Sequence, residues 1–262
     1  MDYTIIAISG ADRNAFLQGQ LTQDVAEVTP TRGLHAAWCN AKGRVLVTCR
    51  VFADATNHFL AVPSDVAEDI LKRLTMYRLR ADVGLAIVDD FELRAYRAED
   101  LPEGAVCVST PFDKRYVEVI QPKPTTDEQA AKAFLSPAAW AAARCSHGMV
   151  EIHGPTAERY TPHMLNLDRC GAISFSKGCY TGQEVVARTE HLGKVKRRIA
   201  RYRWDGNGVE PDAEVSDGDG TVGQVVNAAG GDVLAVVPVH LHDATLYIGS
   251  EALTPQPLPY SS

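Results

Sequence analysis

Cys179 stands two residues after Lys177 and just before Thr181-Gly182-Gln183-Glu184, a stretch with the marks of a helix start. Thr181 and Glu184 have the spacing of a capping box, hydroxyl to the Glu184 amide and carboxylate back to the Thr181 amide, which predicts a helix from Gly182. Tyr180 and Val185 are spaced for a hydrophobic staple that fixes how Lys177-Gly178-Cys179 enters the helix. A thiol so placed feels the positive end of a helix dipole and a nearby ammonium, and both favour thiolate over thiol. Cys179 is therefore the candidate reactive group, as nucleophile, transient cluster or metal ligand, or redox partner. The plainer reading is a small residue filling a tight turn. Lys177 could serve the thiol or hold an anion. Gly178 and Gly182 relax the backbone or admit a close neighbour, whereas Gln183 has no local task. No other Cys or His lies at ligand spacing, so no permanent metal is expected, and His147, His153, His163 and His191 could reach the thiol only through folding.

Two further groups could carry chemistry. Glu151 sits in the apolar run Met149-Val150-Glu151-Ile152, where a carboxylate could accept two adjacent N–H groups of a ligand. On alternation alone an outward, solvated Glu is the commoner outcome. Arg188, Lys194, Lys196, Arg197, Arg198, Arg201 and Arg203 crowd a short stretch, either as a solvated face or as a site for the carboxylates of a ligand tail or RNA.

The elements that must position these groups are legible as a mixture. Strands are expected over Tyr3 to Ile8, in a hairpin from Leu34 to Phe52 turning at Asn40-Ala41-Lys42-Gly43, and over His58 to Val62, Val83 to Val88, Phe91 to Arg97, Ala105 to Val108 and Tyr116 to Ile120, with a turn at Asp113-Lys114. Helices are expected after the caps Asp12, Ser64, Thr126 and Ser136, the last with Pro137 at its first position. Beyond Arg198 short β-prone runs separated by Asp, Gly and Asn predict a small all-β barrel, with Thr254 to Ser262 as a loosely held tail. The class is α+β, with one region over 1–197 and the barrel over 198–262. A net charge of -7 argues against a general polyanion binder. The six cysteines form no C-x-x-C pair and are expected reduced; with no leader-like start and no long apolar run, the chain reads as cytoplasmic, with no membrane contact.

Lys177-Gly178-Cys179-Tyr180-Thr181-Gly182-Gln183-Glu184 resembles the K-G-C-Y-x-G-Q-E signature of the YgfZ family. Gly193 to Arg198, Asp12 to Leu21 and Asn40 to Arg44 extend the resemblance over nearly the whole chain. The resemblance implies a tetrahydrofolate-binding accessory protein of iron–sulfur cluster assembly or repair, linked to tRNA modification, with cluster-assembly proteins, cluster enzymes or tRNA as partners. The family is similar to the glycine-cleavage T-protein aminomethyltransferases, which implies two interwoven ferredoxin-like subdomains plus the barrel, and Glu151 as the pterin carboxylate. Those enzymes carry an aspartate in the strand after the Asn-x-x-Gly turn, whereas Arg44-Val45-Leu46-Val47-Thr48-Cys49 has no acidic residue. General acid–base catalysis is typically worth about 10² to 10⁴-fold, so folate binding without aminomethyl transfer is the expectation. A folate-dependent one-carbon transferase and a tRNA- or protein-binding module are the alternatives.

Overall fold

The computed structural model describes residues 3–101, 106–109, 114–123, 134–206 and 208–260. Five antiparallel strands, β1 (Tyr3–Ser9), β2 (Leu34–Cys39), β3 (Val45–Ala53), β4 (His58–Pro63) and β5 (Gly84–Val88), form a sheet in the order β2-β3-β4-β1-β5. Every residue of β3 is buried. Val47, Cys49 and Val51 pack on one side with Phe16 and Leu17 of α1 (Arg13–Gln18) and Ile70 and Leu74 of α2 (Ala67–Tyr77), whereas Phe52 belongs to a separate apolar group with Ile5, Phe59 and Ile120. With both faces covered, the strand reads as a near-continuous apolar run, and Arg50 is its charged exception.

Ile120 comes from a second sheet, β6 (Phe91–Arg97), β7 (Val106–Ser109) and β8 (Tyr116–Pro122), in the order β6-β8-β7. Helix α3 (Pro137–Ser146) follows as its sequence predicts: the Ser136 hydroxyl accepts from the Ala139 amide at 3.2 Å and Pro137 sits in the first turn. Asp12 and Ser64, by contrast, cap nothing with their side chains. Asp12 accepts from the Asp82 amide and Ser64 from the Thr4 hydroxyl, contacts between elements in place of local ones. The Thr126 segment and Asp113 lie outside the described residues.

After α4 (Gln183–Leu192) the chain enters a closed six-stranded barrel. Its strands are β9 (Arg197–Arg203), β10 (Glu214–Ser216), β11 (Thr221–Ala229), β12 (Asp232–Pro238), β13 (Leu246–Ile248) and β14 (Glu251–Gln256), ordered β10-β11-β12-β9-β14-β13. Tyr202, Val215, Val225, Val233, Val237, Leu246 and Leu253 fill it. The expected loose tail is a correction: β14 pairs with β9 and closes the barrel. Leu258 is buried, and the Tyr260 hydroxyl donates to the Gly148 carbonyl and accepts from Asn166. No described helix is long and apolar enough to cross a membrane.

Candidate functional site: an exposed thiol on a braced loop

The signature loop is held from inside. Lys177 is buried, and its ammonium donates to the carbonyls of Gln18, Leu21 and Gln23 at 2.8, 2.7 and 2.9 Å. The Tyr180 ring lies beneath the same nitrogen, 5.1 Å from it. An ammonium has three protons, and all three are used. This corrects the expectation that Lys177 serves Cys179 or an anionic ligand; it is a brace between residues 18–23 and the loop. Burial pulls its pKa down to about 8, against the raising effect of Asp24. The same segment grips the loop elsewhere: Ser174 donates its amide to the Thr22 carbonyl, and the Thr22 hydroxyl donates to Ala172.

The capping box is also corrected. The Thr181 amide donates to the Gly19 carbonyl, and its hydroxyl lies 3.3 Å from Gln20 Oε1. Glu184 is exposed in the first turn, where a negative charge still complements the helix dipole. The cap position is Gly182, at φ +83°, without a side-chain bond. A Cβ there would lie 2.6 Å from the Asn40 carbonyl oxygen, and one on Gly43 would lie 2.7 Å from Val185 Cβ. The Asn40–Gly43 turn and the start of α4 touch through two glycines, and Val185 packs on the turn. Gly178 has open space around its Cα.

Cys179 is exposed, whereas Cys39, Cys49, Cys145 and Cys170 are buried, and burial pushes each of those thiols up to about 12. Only the thiolate is nucleophilic, so among these five the fold leaves Cys179 alone for thiol chemistry. His153 and His163 spend a ring nitrogen each on Asp65 and Glu190, both at 2.9 Å, and His191 is exposed at the end of α4. His147 contacts the Ala143 carbonyl.

The basic stretch divides. Arg198 binds Asp168 through both terminal nitrogens, Arg201 binds Asp232 through two, and Arg197 and Arg203 donate to the Val222 and Gly230 carbonyls. These arginines hold the barrel and its junction; Arg188, Lys194 and Lys196 remain on the surface.

Glu151 is buried, contrary to the outward reading, and is the point where three units meet. Arg50 of β3, Arg144 of α3 and the Tyr3 hydroxyl all converge on its Oε1. Its backbone exchanges two bonds with the Asn227 side chain of the barrel, at 2.8 and 3.0 Å. Arg50 also grips Glu118 of β8 at 2.8 and 2.9 Å, and the Trp140 indole donates to Glu118 at 2.9 Å. Two arginines thus face two glutamates, the balance that a buried ion network needs. Burial raises the Glu151 carboxyl, but Arg144 and Arg50 outweigh it and hold it below the usual range.

Beside this network lies a cavity of about 270 Å³, lined by Tyr3, Glu92, Leu93, Arg94, Ala95, Lys123, Leu135, Pro137, Trp140 and Arg144. Glu151 is one layer behind it, holding Tyr3 and Arg144. Sequence reasoning missed Glu92, Arg94 and Lys123 because they read as surface charges on an edge strand and a loop. A smaller void of about 30 Å³ is lined by His35, Thr48, Cys49 and Arg50 among others.

No family model matches the chain. A tRNA-modifying protein YgfZ of Escherichia coli is 30% identical over 99% of this chain and 91% of its own. Another YgfZ, of Colwellia psychrerythraea, is 31% identical over 76% and 68% of the two chains. Among solved structures, the glycine cleavage system aminomethyltransferase T of Bartonella henselae superposes with a TM-score of 0.76 at 16% identity, covering 98% of this chain and 84% of that one. The fold is therefore the T-protein fold, and, by the near-full-length identity to curated relatives, the chain belongs to the YgfZ family.

Proposed function

We propose that this protein binds a reduced folate in the cavity at Tyr3, Trp140 and Arg144 and presents Cys179 from its braced loop, as a cytoplasmic accessory factor of iron–sulfur cluster assembly or repair on which tRNA-modifying cluster enzymes depend. The observation that carries the reading is the composition of the cavity. A folate is a flat N–H-bearing ring joined to an aromatic amide and a carboxylate tail. Tyr3 and Trp140 offer ring surface, Glu92 an acceptor, and Arg94, Lys123 and Arg144 positive charge. The volume, about 270 Å³, lies just below the usual ligand range of roughly 300 to 1,000 Å³. It suits the bicyclic ring, with the tail leaving toward solvent. The residues present fit the group, and Glu151 supports the wall in this reading.

The aminomethyl-transfer alternative is not favoured. Thr48, near the middle of β3, accepts the Ile152 amide on its hydroxyl, and Glu92 is paired with Arg94 at 2.7 Å.

Calorimetry with tetrahydrofolate under reducing conditions tests the proposal. Micromolar binding, weakened at least tenfold by Trp140→Ala or Arg94→Gln and untouched by Cys179→Ala, is expected. Absence of binding by the wild-type protein removes the folate reading.

A further inference from the structure

We infer that the end of α2 is a docking surface for an acidic, apolar-bearing segment of a protein partner. Among the described residues seven large hydrophobic side chains are exposed, and three of them, Met76, Tyr77 and Leu79, fall within four consecutive positions. Leu79 is 87% exposed and Met76 63%. Single exposed apolar residues are ordinary, but a cluster rimmed by charge marks an interaction site. Leu79 also has φ +48°, a left-handed conformation that costs a branched, non-glycine residue free energy. A Gly or Asn there would relieve the strain and remove the apolar side chain, whereas Leu79 combines a left-handed backbone with an exposed apolar side chain.

The rim names the partner. Lys72, Arg78 and Arg80 are exposed around the patch, in a chain of net charge -7. The Arg78 guanidinium reaches the Val83 carbonyl at 3.4 Å. A second copy of the chain would set these cations against themselves across a two-fold axis. RNA would satisfy the arginines but leave Met76 and Leu79 against sugar and phosphate, and the Tyr77 ring is already set edge-on to Trp38 at 5.6 Å. An amphipathic acidic segment satisfies both parts, with an apolar anchor on Leu79 and carboxylates to the rim. Trp38 in turn pairs through its backbone with Leu21, whose carbonyl takes Lys177. The patch and the thiol loop are therefore braced by the same sheet edge, and a partner seated at one is attached to the frame of the other. The patch shares no residue with the cavity at Tyr3 and Trp140.

The test is selection from a random peptide library displayed on phage, panned on the whole purified protein, followed by fluorescence anisotropy of the enriched peptides. The expected peptides carry an apolar residue flanked by Asp or Glu. Their affinity falls at least tenfold on the Met76→Ser/Leu79→Ser protein, and Arg78→Gln/Arg80→Gln weakens them at low salt while changing little at high salt. If the double apolar variant melts early, Leu79→Asp alone replaces it. Peptides that bind the variants as tightly as wild type, or a selection that enriches nothing, overturn the inference. So does polyuridylate or a phosphatidylglycerol vesicle that loses binding on Met76→Ser/Leu79→Ser when the peptides do not.

Discussion

The Lys177 ammonium donates to the Leu21 carbonyl at 2.7 Å across 156 residues of sequence. That bond, with those to Gln18 and Gln23, makes two distant motifs one piece of structure: the segment near the start of the chain is a socket, and the lysine of the thiol loop is its plug. The thiol is exposed while its loop is anchored, so it can be reached without being mobile.

Lys177→Met therefore takes the donor from three carbonyls, one buried and two part-buried, and is expected to destabilise the protein by about 2 to 4 kcal/mol. Cys179→Ala, at an exposed position, is expected to change stability by less than about 0.5 kcal/mol. Denaturant unfolding of both variants checks the contrast. Equal stabilities would remove the bracing role.

Thiol accessibility gives a second prediction. A water-soluble alkylating reagent is expected to label Cys179 of the native protein, while Cys39, Cys49, Cys145 and Cys170 react only in denaturant. Peptide mass mapping reads this directly, and native labelling at any of those four would contradict their burial.

Glu151→Gln removes one anion from a network of two arginines and two glutamates. Breaking one side of a buried pair typically costs about 3 to 5 kcal/mol, and a loss in that range is expected from thermal or denaturant melts. Folate affinity should fall with it, because Tyr3 and Arg144 lose their common anchor. Arg50→Met/Glu118→Met, which removes a pair together, should be milder than either single change.

His35 supplies a pH signature. Its Nε2 lies 3.3 Å from Glu118, yet burial outweighs that attraction, with Arg50 adding to the burial effect, and lowers its pKa from 6.5 to about 4. The unfolded chain binds the proton more tightly, so this contribution to stability is complete above about pH 6.5 and is lost as pH falls toward 4. At about 1.4 kcal/mol per pH unit, the loss is on the order of 3 kcal/mol. His35→Gln should flatten the stability curve in that window, and an unchanged slope would refute the assignment.

What the sequence made legible was local. The Ser136 cap and Pro137 start could be read because donor and acceptor lie three residues apart. Thr181 has the same kind of spacing to Glu184, but its amide and hydroxyl were drawn away by Gly19 and Gln20. The role of Lys177 could not be read, because its partners are backbone carbonyls, which carry no residue type. Glu151 lies in an apolar run that says a carboxylate is unusual there, without saying that Arg50 and Arg144 wait for it. Strand β14 was hidden by Pro255, a residue that argues against a strand, although it pairs in register with Tyr202. The family motifs fared better, since they mark positions whose neighbours come from elsewhere in the chain.

The seating of Tyr260 on Gly148 and Asn166 sets an order for biosynthesis. Domains usually fold from the amino end as they leave the ribosome. Here the floor beneath α3 and the turn that follows is completed by the last aromatic residue of the chain, and β9 waits for β14 to close the barrel. The first region therefore cannot be finished before the segment after the barrel has been made, so a chain that stops short of Tyr260 loses part of the first region as well.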